Sequence, residues 1–275
     1  MSPRTRAWLR LTAGVAVLAV VVWRLGTGPF VDGLRHVDAT VVLAGLLIGV
    51  PTTVCSAWRW RLVARTRGVD LPLRDAVVAY YRSQLLNSTL PGGVLGDVHR
   101  AVRHGISPVA LERVAGQVVQ VGLTAVVLLV LPSPLSLPAW VLLVGCAALV
   151  LVAARWSLVA LASALAVLGY VAAFLVAAAT VGVDASVLQL LPVALVVLVA
   201  MSIPANVAGW GPREGVAAWA FAAAGLGAAT GVAVTVVYGV MSLAAAVPGV
   251  LVLVADRRRS RTVTAPVERE EPVHV

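Results

Sequence analysis

The stretch "RSQLLNSTLPGGVLGDVHRAVRHG", residues 82–105, sets Arg82, Gln84, Asn87, Asp97 and Arg100 around a Pro91-Gly92-Gly93 break. On a helix Ser83 and Asn87 share a face, as do Arg82 and Leu86. Pro-Gly-Gly ends one half-helix, and Gly96-Asp97 opens the next, with Asp97 expected as its N-cap. Free N–H groups at such a break attract phosphate or carboxylate. Arg82 or Arg100 can add a bidentate clamp to that anion. The alternative is an amphipathic cytoplasmic loop whose arginines only set topology.

A second interrupted stretch, "MSIPANVAGWGPREGVAAWAFAAAGL", covers residues 201–226. Pro204, Gly209, Gly211 and Pro212 break it, and Asn206, Trp210, Arg213 and Glu214 bring polar chemistry to the break. An adjacent arginine and glutamate at membrane depth are costly unless they pair or line water, which marks a functional site. In that case Arg213 faces an anionic headgroup, and Glu214 either orients it or titrates. In a solvated turn the same pair costs nothing.

Other chemistry finds no support. "PGGVLGD" lacks the GxxxxGK[ST] pattern and its βα setting. His99 and His104 lie five apart without further ligands, and Cys55 and Cys146 are isolated packing residues. No Ser-His-Asp or Cys-His set assembles. No catalytic residue, metal or cofactor is therefore assigned, and the chain is expected not to be an enzyme.

The elements that must position these residues are membrane helices. The 275 residues are 60% hydrophobic and only 12% charged, with a mean hydropathy of +0.97. An ordinary globular chain carries about 25% charged residues. Several apolar runs approach the ~20 residues that cross a bilayer as a helix, and the short alternating segments of a β-barrel are absent. Full spans are expected at about 8–25, 39–58, 114–131, 138–154, 157–180 and 229–254. The first is read as an uncleaved span, because no small-x-small site follows it.

All 21 basic residues are arginine, which gives a net charge of +9. They gather between apolar runs: at the head, after the second span (Arg59, Arg61, Arg65, Arg67, Arg74), at Arg100, Arg103 and Arg113, and in the tail. That placement is membrane topology and excludes nucleic acid as the partner. The connections expected outside hold only Arg24 and Arg35, so both termini are expected in the cytoplasm. Basic loops then flank 76–97, which must enter and leave on the cytoplasmic face, while 190–227 must do so on the outer face. Two oppositely oriented re-entrant helical hairpins point to an inverted repeat with a midplane site. Trp8, Trp23, Trp58, Trp60 and Trp156, with Tyr80 and Tyr81, read as interfacial anchors. The expected transmembrane domain is 1–256, followed by a polar, disordered tail at 257–275 with no room for a soluble catalytic domain.

Both motifs together, "YYRSQLLNSTLPGGVLGDVHRAVRHG" and "IPANVAGWGPREG" with its following "GLG", resemble the lysylphosphatidylglycerol synthase transmembrane-region family of flippase-like integral membrane proteins. The resemblance covers roughly residues 8–256. It implies a polytopic bacterial inner-membrane protein that moves or handles lipid headgroups. It also implies roles for Arg82, Asn87, Pro91, Gly92, Gly93, Gly96, Asp97 and Arg100, and for Pro204, Asn206, Gly209, Trp210, Pro212, Arg213 and Glu214. The best-understood members carry an aminoacyl-transferase domain, so synthase activity does not transfer to this sequence.

The first expectation is a transporter of anionic lipids, with the two hairpins meeting at a cationic, amide-lined cavity built from Arg82, Gln84, Asn87, Gly92, Gly93, Asp97, Arg100, Asn206, Trp210, Arg213 and Glu214. The second is a non-transporting partner subunit of a lipid- or glycan-modifying enzyme. The third is an enzyme acting on lipid phosphates, which would have only His99, Asp97 and Glu214 to work with.

Overall fold

The structure, a computed structural model, describes residues 3–89, 95–135, 137–202 and 211–254, with side chains from residue 12 onward. The described residues form helices and connections, with no strand among them. In chain order these are α1 (Pro3–Leu25), α2 (Gly28–Arg35), α3 (Ala39–Arg65), α4 (Leu73–Thr89), α5 (Leu95–His104), α6 (Ile106–Val130), α7 (Ala139–Arg155), α8 (Ser157–Val181), α9 (Val187–Met201), α10 (Pro212–Ala223) and α11 (Ala228–Ala246). After Val247 the last helix continues to Val254.

Four helices are long and apolar enough to cross a bilayer: α3, α6, α8 and α11 with its extension. A fifth crossing results if α1 and α2 count as one span bent by 92°. Gly26, at a φ of +74°, and Pro29 at the start of α2 make that bend. The 17-residue α7 and 15-residue α9 are apolar but short. At a rise of 1.5 Å per residue α9 covers only about 22 Å.

Two expected boundaries move. The second span runs on to Arg65 rather than ending near residue 58, and the third begins at Ile106 rather than near 114. Arg59, Arg61 and Arg113, assigned above to loops, therefore lie inside helices. Hydropathy alone trims a helix at its first arginine, but Arg59 and Arg113 have carboxylate partners on neighbouring helices.

α3 packs along α8 and α11, and α6 packs on α7, α8 and α9. α4 and α5 pair with each other and rest on α3 and α6, while α10 sits among α1, α9 and α11. Contacts Asn87–Gly96, Ser83–Asp97 and Arg82–His99 run in opposite chain directions, so α4 and α5 form an antiparallel hairpin. A Cβ at Gly96 would strike the Ser83 backbone, so this crossing needs glycine. The main core joins α8, α9, α10 and α11 around Phe174, Phe221 and Tyr238, with ring centroids 6.0–6.3 Å apart. A second core gathers Trp60, Tyr80, Ala57, Ala76 and Val109 beneath the α4–α5 hairpin.

Candidate functional site

Three groups of polar side chains interrupt this apolar interior. The first lies where α3, α4, α5 and α6 meet. Glu112, fully buried on α6, accepts from Arg59 of α3 through Nε at 2.9 Å and through Nη2, and from Arg100 Nη2 of α5 at 3.0 Å. The Tyr80 hydroxyl lies 3.4 Å from both Arg59 Nη2 and Glu112 Oε1. Arg100, 2% exposed, also donates to Asp97 at 3.0 Å, and its guanidinium sits between the Trp60 and Tyr80 rings, 4.6 and 4.5 Å from their centroids. Asp97 further accepts from Ser83 at 3.0 Å, from Asn87 at 3.1 Å and from Arg113. Asn87 in turn accepts from the Gly96 N–H at 2.8 Å.

Each helix contributes to this cluster for a local reason. Arg59 and Trp60 are consecutive on α3, so one turns to α6 and the other to the hairpin. Gly116, one turn after Glu112, leaves the room that Arg59 occupies; a Cβ there would come within 2.6 Å of its Nη1. Burying such charges costs several kcal/mol each unless they are paired and hydrogen-bonded. Pairing is what the cluster supplies: Arg59, Arg100 and Arg113 alternate with Glu112 and Asp97.

Several expectations change here. Asp97 lies in the first turn of α5, which starts at Leu95, and its carboxylate goes to four side chains on α4, α5 and α6 rather than to an N-cap. Trp60 is fully buried and Tyr80 and Tyr81 nearly so, which removes them from the interfacial set. Trp23, 78% exposed beside Arg24, keeps that reading. Arg59, Glu112 and Arg113 were missed as site residues. The available signal was Glu112, the one acid within the apolar run 106–130.

On the outer side of the hairpin Arg82 Nη1 lies 3.5 Å from His99 Nε2. Burial and the nearby Arg103 and Arg82 guanidinium groups push the His99 imidazole below its ordinary 6.5. His104, edge-on to Trp60 at 5.2 Å, moves the same way through burial and the charges of Arg103 and Arg100. Both rings are therefore neutral at pH 7.

The second group is on α10. Arg213 and Glu214 are buried, 5% and 0% exposed, and pair at 2.6–2.7 Å. Glu214 also accepts from the Gly211 N–H at 2.6 Å, so it closes the start of its own helix while it holds Arg213. The Arg213 guanidinium lies 6.0 Å from the Tyr238 ring centroid on α11.

The third group lines a cleft of about 50 Å³ between α3, α4, α8 and α11. Its polar wall consists of Thr52, Thr53, Gln84, Tyr170, Tyr238 and Ser242. Thr53 donates to Gln84 Oε1 at 3.0 Å. Tyr170 interacts electrostatically with both Arg59 and Tyr238, so the cleft lies between the two arginine–carboxylate groups. The structure thus unites Asn87, Asp97 and Arg100 in one cluster, sets Gln84 on the cleft, and brings Arg213 to it through Tyr238. Gly92, Gly93, Asn206 and Trp210 lie outside the described residues, as do Pro91, Pro204 and the tail from 255. Tyr170 and Tyr238 carried no sequence signal, being isolated tyrosines in apolar spans. Among the described residues no group of three His, Cys, Asp or Glu side chains could hold a metal.

No curated protein and no solved structure matches the chain. The family model for the lysylphosphatidylglycerol synthase TM region matches residues 8–157, which span α1 to α7 and include the α4–α5 hairpin and its ion network. The Arg213–Glu214 motif lies beyond the matched residues. With more than half of its length matched and with four helices long and apolar enough to cross a membrane, this chain belongs to the lysylphosphatidylglycerol synthase transmembrane-region family, whose name ties it to lipid modification.

Proposed function

We propose that this protein carries lipids with anionic headgroups between the leaflets of a bacterial inner membrane, as a multi-pass protein with both termini in the cytoplasm and no reaction of its own. The observation behind this reading is a cleft among the membrane-crossing helices, mostly apolar but with Thr, Gln, Tyr and Ser side chains on its wall, flanked by Arg59–Glu112 on one side and Arg213–Glu214 on the other. Lipid offers no partner to backbone or side-chain polar groups, so a polar path through a bilayer has to be buried in protein. The short pairs α4–α5 and α9–α10 serve as the two hairpins, with α7 and the bent α1–α2 completing six crossings. Headgroups would pass along the cleft while acyl chains stay in the bilayer, and Arg82 and Arg213 would hold the phosphate.

Lipid analysis of the gently purified protein tests this reading. An anionic phospholipid should co-purify with the wild-type protein and fall severalfold in Arg82→Ala and Arg213→Ala, with thermal stability recorded as a folding control. Retention unchanged in both folded variants would overturn the assignment. Stable co-purification with a lipid- or glycan-modifying enzyme, without lipid movement by the protein alone, would instead favour a partner subunit.

A further inference from the structure

The ion network between α3, α4, α5 and α6 is one acid short. Arg59, Arg100 and Arg113 share the carboxylates of Glu112 and Asp97, three positive charges against two negative. Arg113 is 44% exposed and reaches solvent, but Arg59 and Arg100 are buried and both lean on Glu112. The surroundings do not remove the surplus. His104, edge-on to Trp60, feels the charges of Arg103, Arg100 and Arg82 as well as that of Asp75. An unbalanced charge held away from water is costly in a low-dielectric interior.

The same place carries buried donors with nothing to donate to. Arg100 reaches both of its acids through Nη2. Its Nε and Nη1, which carry three of the five N–H groups of a guanidinium, have no hydrogen-bond partner among the described residues. The indole N–H of Trp60, the ring that this guanidinium stacks on, has none either, and neither does the Ser56 hydroxyl. Ser56 and Trp60 are both fully buried and lie four apart on α3, so they share the face that meets the hairpin. Buried polar atoms are nearly always satisfied in folded proteins, and an exception calls for an ion or a water. Water carries no charge, and it brings protons that need acceptors of their own. An anion only accepts, and it supplies the missing negative charge. A lipid headgroup fits poorly, because the chain itself covers each of these donors.

We propose that the protein binds one small monovalent anion of the chloride class against the Arg100–Trp60 stack beneath the α4–α5 hairpin. Arg100 and the Trp60 N–H donate to it, with the Ser56 hydroxyl one turn away on α3. The ion balances the network and so ties the hairpin to α3 and α6. The site stands apart from the lipid-handling reading and does not depend on it.

Chloride binding to the purified full-length protein in detergent tests the site. It is measured by equilibrium dialysis with radioactive chloride, and by the unfolding midpoint in sodium chloride against sodium gluconate at equal ionic strength. The wild-type protein should retain a single chloride per chain, and its midpoint should rise saturably with chloride but not with gluconate. Arg113→Gln removes the surplus charge at the exposed end of the network and leaves the Arg100 and Trp60 donors in place. It should weaken chloride binding about tenfold. Trp60→Phe keeps a ring under the guanidinium but removes the N–H, and should weaken binding about fivefold. Bromide should compete with chloride, whereas short-chain phosphatidic acid should not. Equal midpoints in the two salts, with no chloride retained, would mean that water meets these donors and would overturn the proposal. Chloride affinity unchanged in both variants would overturn it too, as would displacement of chloride by phosphatidic acid, which would give the site to a lipid phosphate.

Discussion

Glu112 draws its partners from three other helices, Arg59 on α3, Tyr80 on α4 and Arg100 on α5, whereas Glu214 finds Arg213 and the Gly211 N–H within three residues of itself. The first arrangement joins the α4–α5 hairpin to the helices beneath it. The second positions one arginine against Tyr238 and Gly239 of α11. Two buried arginine–carboxylate groups in one chain thus do different work: one holds an assembly together, and the other presents a charge. The same contrast explains why Arg100, expected as a phosphate clamp, is sandwiched between Trp60 and Tyr80 and held by two acids, while Arg213 stands beside the cleft.

The contrast can be broken most forcefully at Glu112. In Glu112→Gln the buried Arg59 loses its counter-charge and Arg100 keeps only Asp97, and about 3–5 kcal/mol of stability should go with it. Thermal and denaturant unfolding in detergent would measure the loss, and a change no larger than that of an exposed residue would contradict the joining role. Glu214→Gln should cost less, about 2–3 kcal/mol, because one arginine and one backbone N–H depend on it. If Glu214→Gln is the more damaging of the two, the comparison is wrong. Tyr80→Phe removes a hydroxyl that meets its neighbours only at 3.4 Å, and should cost about 1 kcal/mol or less.

The smallest effect is on pH. His99 and His104 are held below 6.5 in the fold, so the unfolded chain takes up their protons first as pH falls. Their contribution is fully present above 6.5 and is lost as pH drops from there through the lowered folded values. Unfolding midpoints followed across this window should fall with acidification. The combined His99→Gln and His104→Gln variant should show a shallower fall, and an identical pH profile would remove these rings from the account.

Much of the architecture was legible in the sequence because it is written in local composition. The apolar runs that became α3, α6, α8 and α11 need no long-range information, and neither does the Arg213–Glu214 adjacency. What was not legible depends on contacts far apart in the chain. Arg59 and Glu112 are 53 residues apart, and no periodicity in either segment announces the other. Their mutual neutralisation is what lets α3 and α6 extend past the points where hydropathy stops them. The same local logic makes Trp60 an interfacial anchor, whereas in the fold Arg100 and His104 cover it. The cleft residues Tyr170 and Tyr238 come from different helices and acquire meaning only when α8 meets α11.

The most direct test of the central claim is leaflet-to-leaflet movement of a fluorescent phosphatidylglycerol in proteoliposomes, with protein-free vesicles as the baseline. The account expects movement well above that baseline with the wild-type protein, and its loss in Arg213→Ala and Arg82→Ala reconstituted to the same level. Movement no faster than in empty vesicles, or equal movement in both variants, would contradict it.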